Sequence, residues 1–143
     1  MSDNNRWWPS WEPRALSLLR FFTGLAFLDH GTAKLFGFPA MPMFAHLHLA
    51  SLIGVQGIIE VIGGALICIG LFTRPVAFIL CGDMAVAYFM SHSPKSFFPA
   101  VNGGDAAILY CFIFLYLFVA GPGVWSLDRR RARQPARLSA ARA

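Results

Sequence analysis

Apolar residues run along this chain in four stretches, near 14–37, 50–72, 75–92 and 104–121. Each is close to the ~20 residues a helix needs to cross about 30 Å of hydrocarbon. The pattern predicts an all-α membrane protein, a four transmembrane helix bundle. Ionisable residues interrupt it at Asp29, His30, Lys34, Glu60, Asp83, His92 and Asp105. A charged side chain in hydrocarbon costs roughly 2.5 kcal/mol or more, so such groups face the bundle interior and pair or carry function.

Composition agrees with one compact membrane domain over residues 14–128. Of the 143 residues, 57% are hydrophobic and 13% charged, too apolar for an ordinary soluble domain and too few for several domains. The opening Met1–Arg6 is polar, and the first apolar run reaches spanning length without a small-residue cleavage site, so it is expected to stay in the mature protein. Residues 1–13, with Trp7, Trp8 and Trp11 among Pro9 and Pro13, read as an interfacial segment at the headgroup level.

Charge sets the predicted orientation. Arg6, Arg14, Arg20 and Arg74 flank one side, the tail 129–143 adds six arginines to it, and the other side holds Lys34 and Lys95. Positive residues stay inside, so both termini are expected in the cytoplasm of a bacterial-type inner membrane, crossed several times. The tail reads as a disordered arm held at anionic lipid, with membrane lipid as its partner and no nucleic acid. It supplies most of the net charge of +5.

Helix one carries Arg20, Thr23, Gly24, Phe27, His30, Gly31 and Lys34 at three-four spacing, which puts them on one face. Helix two presents Gln56, Glu60, Gly63 and Gly64 on a comparable face, with Glu60 near the bilayer midplane. A carboxylate there must be neutralised or meet a cation, and Lys34 and His30 are the candidate partners. His92 closes helix three, and Asn102 and Asp105 open helix four, where Asp105 serves as a helix cap or as a site residue. Tyr110 stands two turns further on. The candidate ligand-binding or proton-relay set is therefore His30, Lys34, Glu60, His92 and Asp105, with Asp29, Gln56, Asp83, Asn102 and Tyr110 secondary. The catalytic residues are not assigned, and no metal is expected.

Cys68, Cys81 and Cys111 form no Cys-x-x-Cys pair and read as inert core residues, which argues against thiol–disulfide chemistry. A short echo links His30, Lys34, Phe36 and Pro39-Ala40 to His92, Lys95, Phe97 and Pro99-Ala100. It implies either a parallel repeat of helical hairpins or chance similarity over few residues.

His30-Gly31 with Lys34-Leu35-Phe36-Gly37, Glu60 with Gly63-Gly64, Gly70-Leu71-Phe72-Thr73-Arg74, Gly103-Gly104-Asp105, and Gly121-Pro122-Gly123 before Ser126-Leu127-Asp128 follow one another along residues 14–128. In this order they resemble the DoxX family of small four-helix membrane proteins. Asp105 stands where that family often shows Glu. The resemblance implies a link to membrane oxidoreductase complexes, including the membrane part of thiosulfate:quinone oxidoreductase.

Two functions of different class follow. One is a membrane redox module, with a buried polar pocket for a quinone-like molecule and a partner protein supplying electrons, since no flavin, nucleotide or iron–sulfur signature and hence no cofactor is encoded. Quinone reduction consumes protons, which the carboxylates and histidines would handle. The alternative is a non-enzymatic anchor or small-molecule conduit whose charges fix helix register. Glycine-rich faces permit a homo-oligomer as readily as internal packing.

Overall fold

A computed structural model describes the backbone of residues 8–140 and the side chains of residues 11–133. The interfacial segment expected at 1–13 therefore lies outside the described residues as far as Trp7. Its last residues already belong to the first helix, where Trp11 is exposed beneath the Arg14 guanidinium.

Among the described residues the regular structure is helical throughout, with no strand. The long helices are α1 (Trp8–Phe36), α2 (Leu52–Ile69), α3 (Thr73–Ala87) and, after the one-turn α4 (Pro99–Asn102), α5 (Asp105–Ala120). A 3-10 turn at Pro42–Phe44 follows α1, and a π turn at Tyr88–His92 continues α3. Two runs, Leu52–Ile69 and Thr73–His92, are long and apolar enough to cross a membrane; α5 is apolar but has only 16 residues.

The tail differs from expectation. Instead of a disordered arm it enters α6 (Leu127–Ala140). Leu, Ala and Arg favour helix, Asp128 sits in the first turn, and the Ser126 hydroxyl caps the start by accepting from Arg129 N–H at 3.2 Å. These local signals outweigh Pro135.

Packing joins the helices into two pairs, α1 along α2 and α3 along α5, with less contact between the pairs. The α1–α2 seam depends on glycines. A Cβ on Gly24 would lie 2.7 Å from Cys68 N and 2.9 Å from Gly64 O, and one on Gly64 would lie 2.8 Å from Leu28 N. Backbone sits where side chains would be, which is the small-residue mode of helix association in lipid.

An apolar core around Phe27, Ile67, Leu80, Phe114 and Leu117 is buried together with Ser17, Arg20, Thr23, Glu60 and Thr73, while Phe22, Ile62, Phe78, Leu109, Phe112 and Val119 are exposed. So much exposed apolar surface fits a lipid solvent.

One end of the bundle is tied by Arg20, only 2% exposed. Its guanidinium donates to Ile67 O and Cys68 O at the end of α2, to Pro122 O at 2.8 Å and to Trp125 O. The last carbonyls of a helix have no intrahelical partner and carry partial negative charge, so a cation satisfies both needs. Gly70, at φ 67°, ends α2 in the left-handed region and leaves no room for a side chain beside Arg20. The Asp128 carboxylate then accepts from Phe72 N–H and Thr73 N–H, at 2.8 and 2.9 Å, where α3 begins. Arg74 repeats the device on the second pair by donating to Phe118 O of α5 at 2.9 Å.

Replacing Arg20 by Met should leave Cys68 O, Pro122 O and Trp125 O without a donor, while Ile67 O keeps only the Gly70 N–H. We expect a loss on the order of 3–5 kcal/mol, from several buried carbonyls left unsatisfied, read as a lower thermal midpoint in detergent. An unchanged midpoint would show that Arg20 does not hold this end together.

Candidate functional site

At the opposite end the helices leave a half-open chamber of about 320 Å3. Its polar wall consists of His30 and Lys34 from α1, Gln56 and Glu60 from α2, Ser91 and His92 from the π turn, Lys95 just after it and Tyr110 from α5. Phe27 and Met84 line it from the core side, and Met41 and Phe44 line it from the connection after α1.

Lys34 Nζ lies 2.6 Å from Glu60 Oε1, with the two side chains 10% and 3% exposed. This is an ion pair between α1 and α2, and the Lys34 ammonium also lies 5.8 Å from the Phe44 ring. Glu60 Oε2 is buried and has no hydrogen-bond partner among the described residues. A carboxylate oxygen left bare inside a bundle carries a desolvation cost that a donor from a bound molecule would relieve.

The two histidines are held differently. The π turn redirects the chain at the end of α3, and such turns recur at functional sites. His92 Nδ1 lies 3.1 Å from Asn102 O, and its ring stacks on Tyr88. His30 is exposed in the chamber, edge-on to Tyr110 with ring centroids 6.0 Å apart. Tyr110 and Phe27 continue into the aromatic core through Phe114.

Comparison with known proteins places this architecture. The DoxX family profile matches residues 15–93, more than half the chain and the whole of α1 to α3 from Ala15 onward. The chain belongs to the DoxX family. It is 40% identical over 124 residues to an uncharacterized protein of Haemophilus influenzae, covering 84% of this chain and 92% of that one. It is 26% identical over 156 residues to an uncharacterized membrane protein of Mycobacterium tuberculosis, covering 88% of this chain and 91% of that one. No solved structure gives a significant match.

Of the candidate residues in this DoxX chain, His30, Lys34, Gln56, Glu60, His92 and Tyr110 share the chamber. Four others stand apart. Asp105 is exposed in the first turn of α5, outside the chamber wall. Asp29 is exposed on the outer face of α1, about one residue's rotation from His30. Asp83 does not line the chamber either; one of its oxygens is buried without a partner, beside Gln56. Asn102 is buried as a scaffold: its amide donates to Ser96 O at 2.8 Å and its Oδ1 accepts from Gly104 N–H at 2.7 Å.

Sequence reasoning passed over two features. Met41, Met43 and Phe44 close the chamber from a loop, and nothing in their spacing marks them. Cys81 and Cys111, read as unrelated core residues, lie with sulfurs 3.6 Å apart across α3 and α5. A Cys-x-x-Cys rule cannot detect a pair formed between helices.

Removing one member of the buried ion pair leaves the other charge uncompensated. Lys34→Met alone should lower stability by about 3–5 kcal/mol, and adding Glu60→Leu should restore most of it. Thermal unfolding of both proteins in detergent tests this coupling. Additive losses would mean that the two groups do not depend on each other.

Proposed function

We propose that this DoxX protein is the membrane module of a redox assembly, and that its chamber binds the headgroup of a quinone-like molecule. The observation that carries the reading is Glu60: its Oε2 is buried and, among the described residues, unpartnered on a wall that also presents two ammonium groups, two imidazoles and a phenol. At about 320 Å3 the chamber lies at the small end of ligand pockets, which suits one substituted ring and not a dinucleotide.

The chemistry fits the residue types. Lys34, Tyr110 and the histidines offer donors to the carbonyl oxygens of a quinone, and Glu60 offers an acceptor to the hydroxyl of the reduced form. Reduction takes up two protons with two electrons, and imidazole and carboxyl groups are suited to deliver them. Electrons would come from a partner protein, in keeping with the absence of nucleotide, flavin or iron–sulfur motifs in the sequence.

In the same reading α1, α2, Thr73–His92 and α5 each cross the bilayer of a bacterial inner membrane, with both termini cytoplasmic and the chamber in the outward half. The arginine-rich end supports this orientation, since Arg20, Arg74 and the arginines that open α6, Arg129, Arg130 and Arg131, gather there. A green fluorescent protein fused after residue 143 is expected to fluoresce, and an alkaline phosphatase fused there to stay inactive. The reverse pattern would overturn the orientation.

Saturable binding of a decyl-substituted benzoquinone to the protein in nanodiscs, followed by equilibrium dialysis, tests the chamber. His30→Ala and Glu60→Gln should each weaken binding about tenfold or more, the effect of losing one charged or polar contact. Unchanged binding by both folded variants, or none by the original protein, would favour the other reading, a conduit or anchor with a structural charge network.

A further inference from the structure

We infer that Cys81 and Cys111 are a redox-active dithiol that closes to a disulfide between α3 and α5, with a lipid-soluble quinone as oxidant. The inference rests on the packing of those two helices and does not depend on the chamber.

Three observations carry it. Cys81 Sγ and Cys111 Sγ are 3.6 Å apart, in van der Waals contact and each unbonded. A disulfide needs about 2.05 Å between sulfurs, so they must approach by roughly 1.5 Å. Both residues are only partly buried, and neither lines the chamber. Their neighbours in sequence, Phe78, Ile79 and Phe112, are exposed, so the pair sits beside an apolar surface.

Location then selects the oxidant. A pair near the middle of two apolar helices is remote from water-soluble disulfides and from glutathione, whereas a lipid-dissolved quinone reaches it through the bilayer. The reaction balances without any further reagent. Two S–H bonds break and one S–S bond forms, and the two electrons and two protons pass to the quinone, whose carbonyl oxygens become the hydroxyls of the hydroquinone.

Cys68 supplies an internal control. Its thiol faces Phe21 O at 3.6 Å on the α1–α2 seam, away from the other two. Oxidation should therefore consume two thiols of the three and leave Cys68 free.

The test uses the full chain, purified under reducing conditions and placed in nanodiscs with a decyl-substituted benzoquinone. The expected result is a mass loss of two hydrogens, one equivalent of hydroquinone, and a mapped cross-link between the peptides holding Cys81 and Cys111. Cys68→Ser should retain all three signals, and Cys81→Ser or Cys111→Ser should lose them. Mapping the unmodified protein keeps the inference testable even if a serine variant misfolds. Three persisting thiols, a covalent quinone adduct, or a disulfide between two chains would each overturn it.

Discussion

A guanidinium whose hydrogen bonds all go to backbone carbonyls is the constraint around which this bundle is arranged. Arg20 is buried by its neighbours, and its donors go to backbone carbonyls from the end of α2 and from the turn after α5. Those carbonyls are the groups that lipid cannot satisfy. Joining them to one cation fixes the end of α2 against α1 and draws in the Gly121–Ser126 turn. Asp128, placed by that turn, reaches the first amides of α3. Three chain segments thereby become mutually dependent at a single point. The glycine seam at Gly24 and Gly64 is what lets α1 approach α2 closely enough for the clasp to close.

The two ends of the bundle differ in how fully their polar groups are used. At the Arg20 end each guanidinium nitrogen and both Asp128 oxygens have partners, although Thr73 Oγ1 beside them is buried without one among the described residues, and the cluster reads as architecture. At the chamber end the Lys34–Glu60 pair is close, yet Glu60 Oε2 has none and His30 remains exposed. Unused hydrogen-bonding capacity in a buried carboxylate costs free energy, and a ligand that donates to it offsets that cost.

Helical class was legible from the apolar runs, and the three-four spacing on α1 put on one face His30 and Lys34, which line the chamber together with Glu60. Periodicity sees only one helix at a time, however. It could show that Asp105 stood near the right end, but not that the first turn of α5 points it outward. It could not pair Cys81 with Cys111, because their proximity arises from how α3 lies along α5. Arg20 was visible on the inward face, but its role depends on carbonyls whose positions are set by two separate helix ends. The start of α6 was not legible because its Ser126 cap depends on Gly70 and Asp128 meeting across the fold, the Asp128 N–H donating to Gly70 O at 3.0 Å.

The chamber lies across the junction of the two helix pairs, and this bears on how it could respond to a ligand. His30, Lys34, Gln56 and Glu60 come from the α1–α2 pair, whereas His92 and Tyr110 come from the second pair and its π turn. Contact within each pair is extensive and contact between them is sparse. Small displacements of one pair against the other would therefore change the chamber at little cost in packing, while the Arg20 and Asp128 contacts act as the hinge at the far end. A disulfide between Cys81 and Cys111 would fall inside the second pair and not across the junction. It would stiffen the wall that carries His92 and Tyr110 without locking the two halves together.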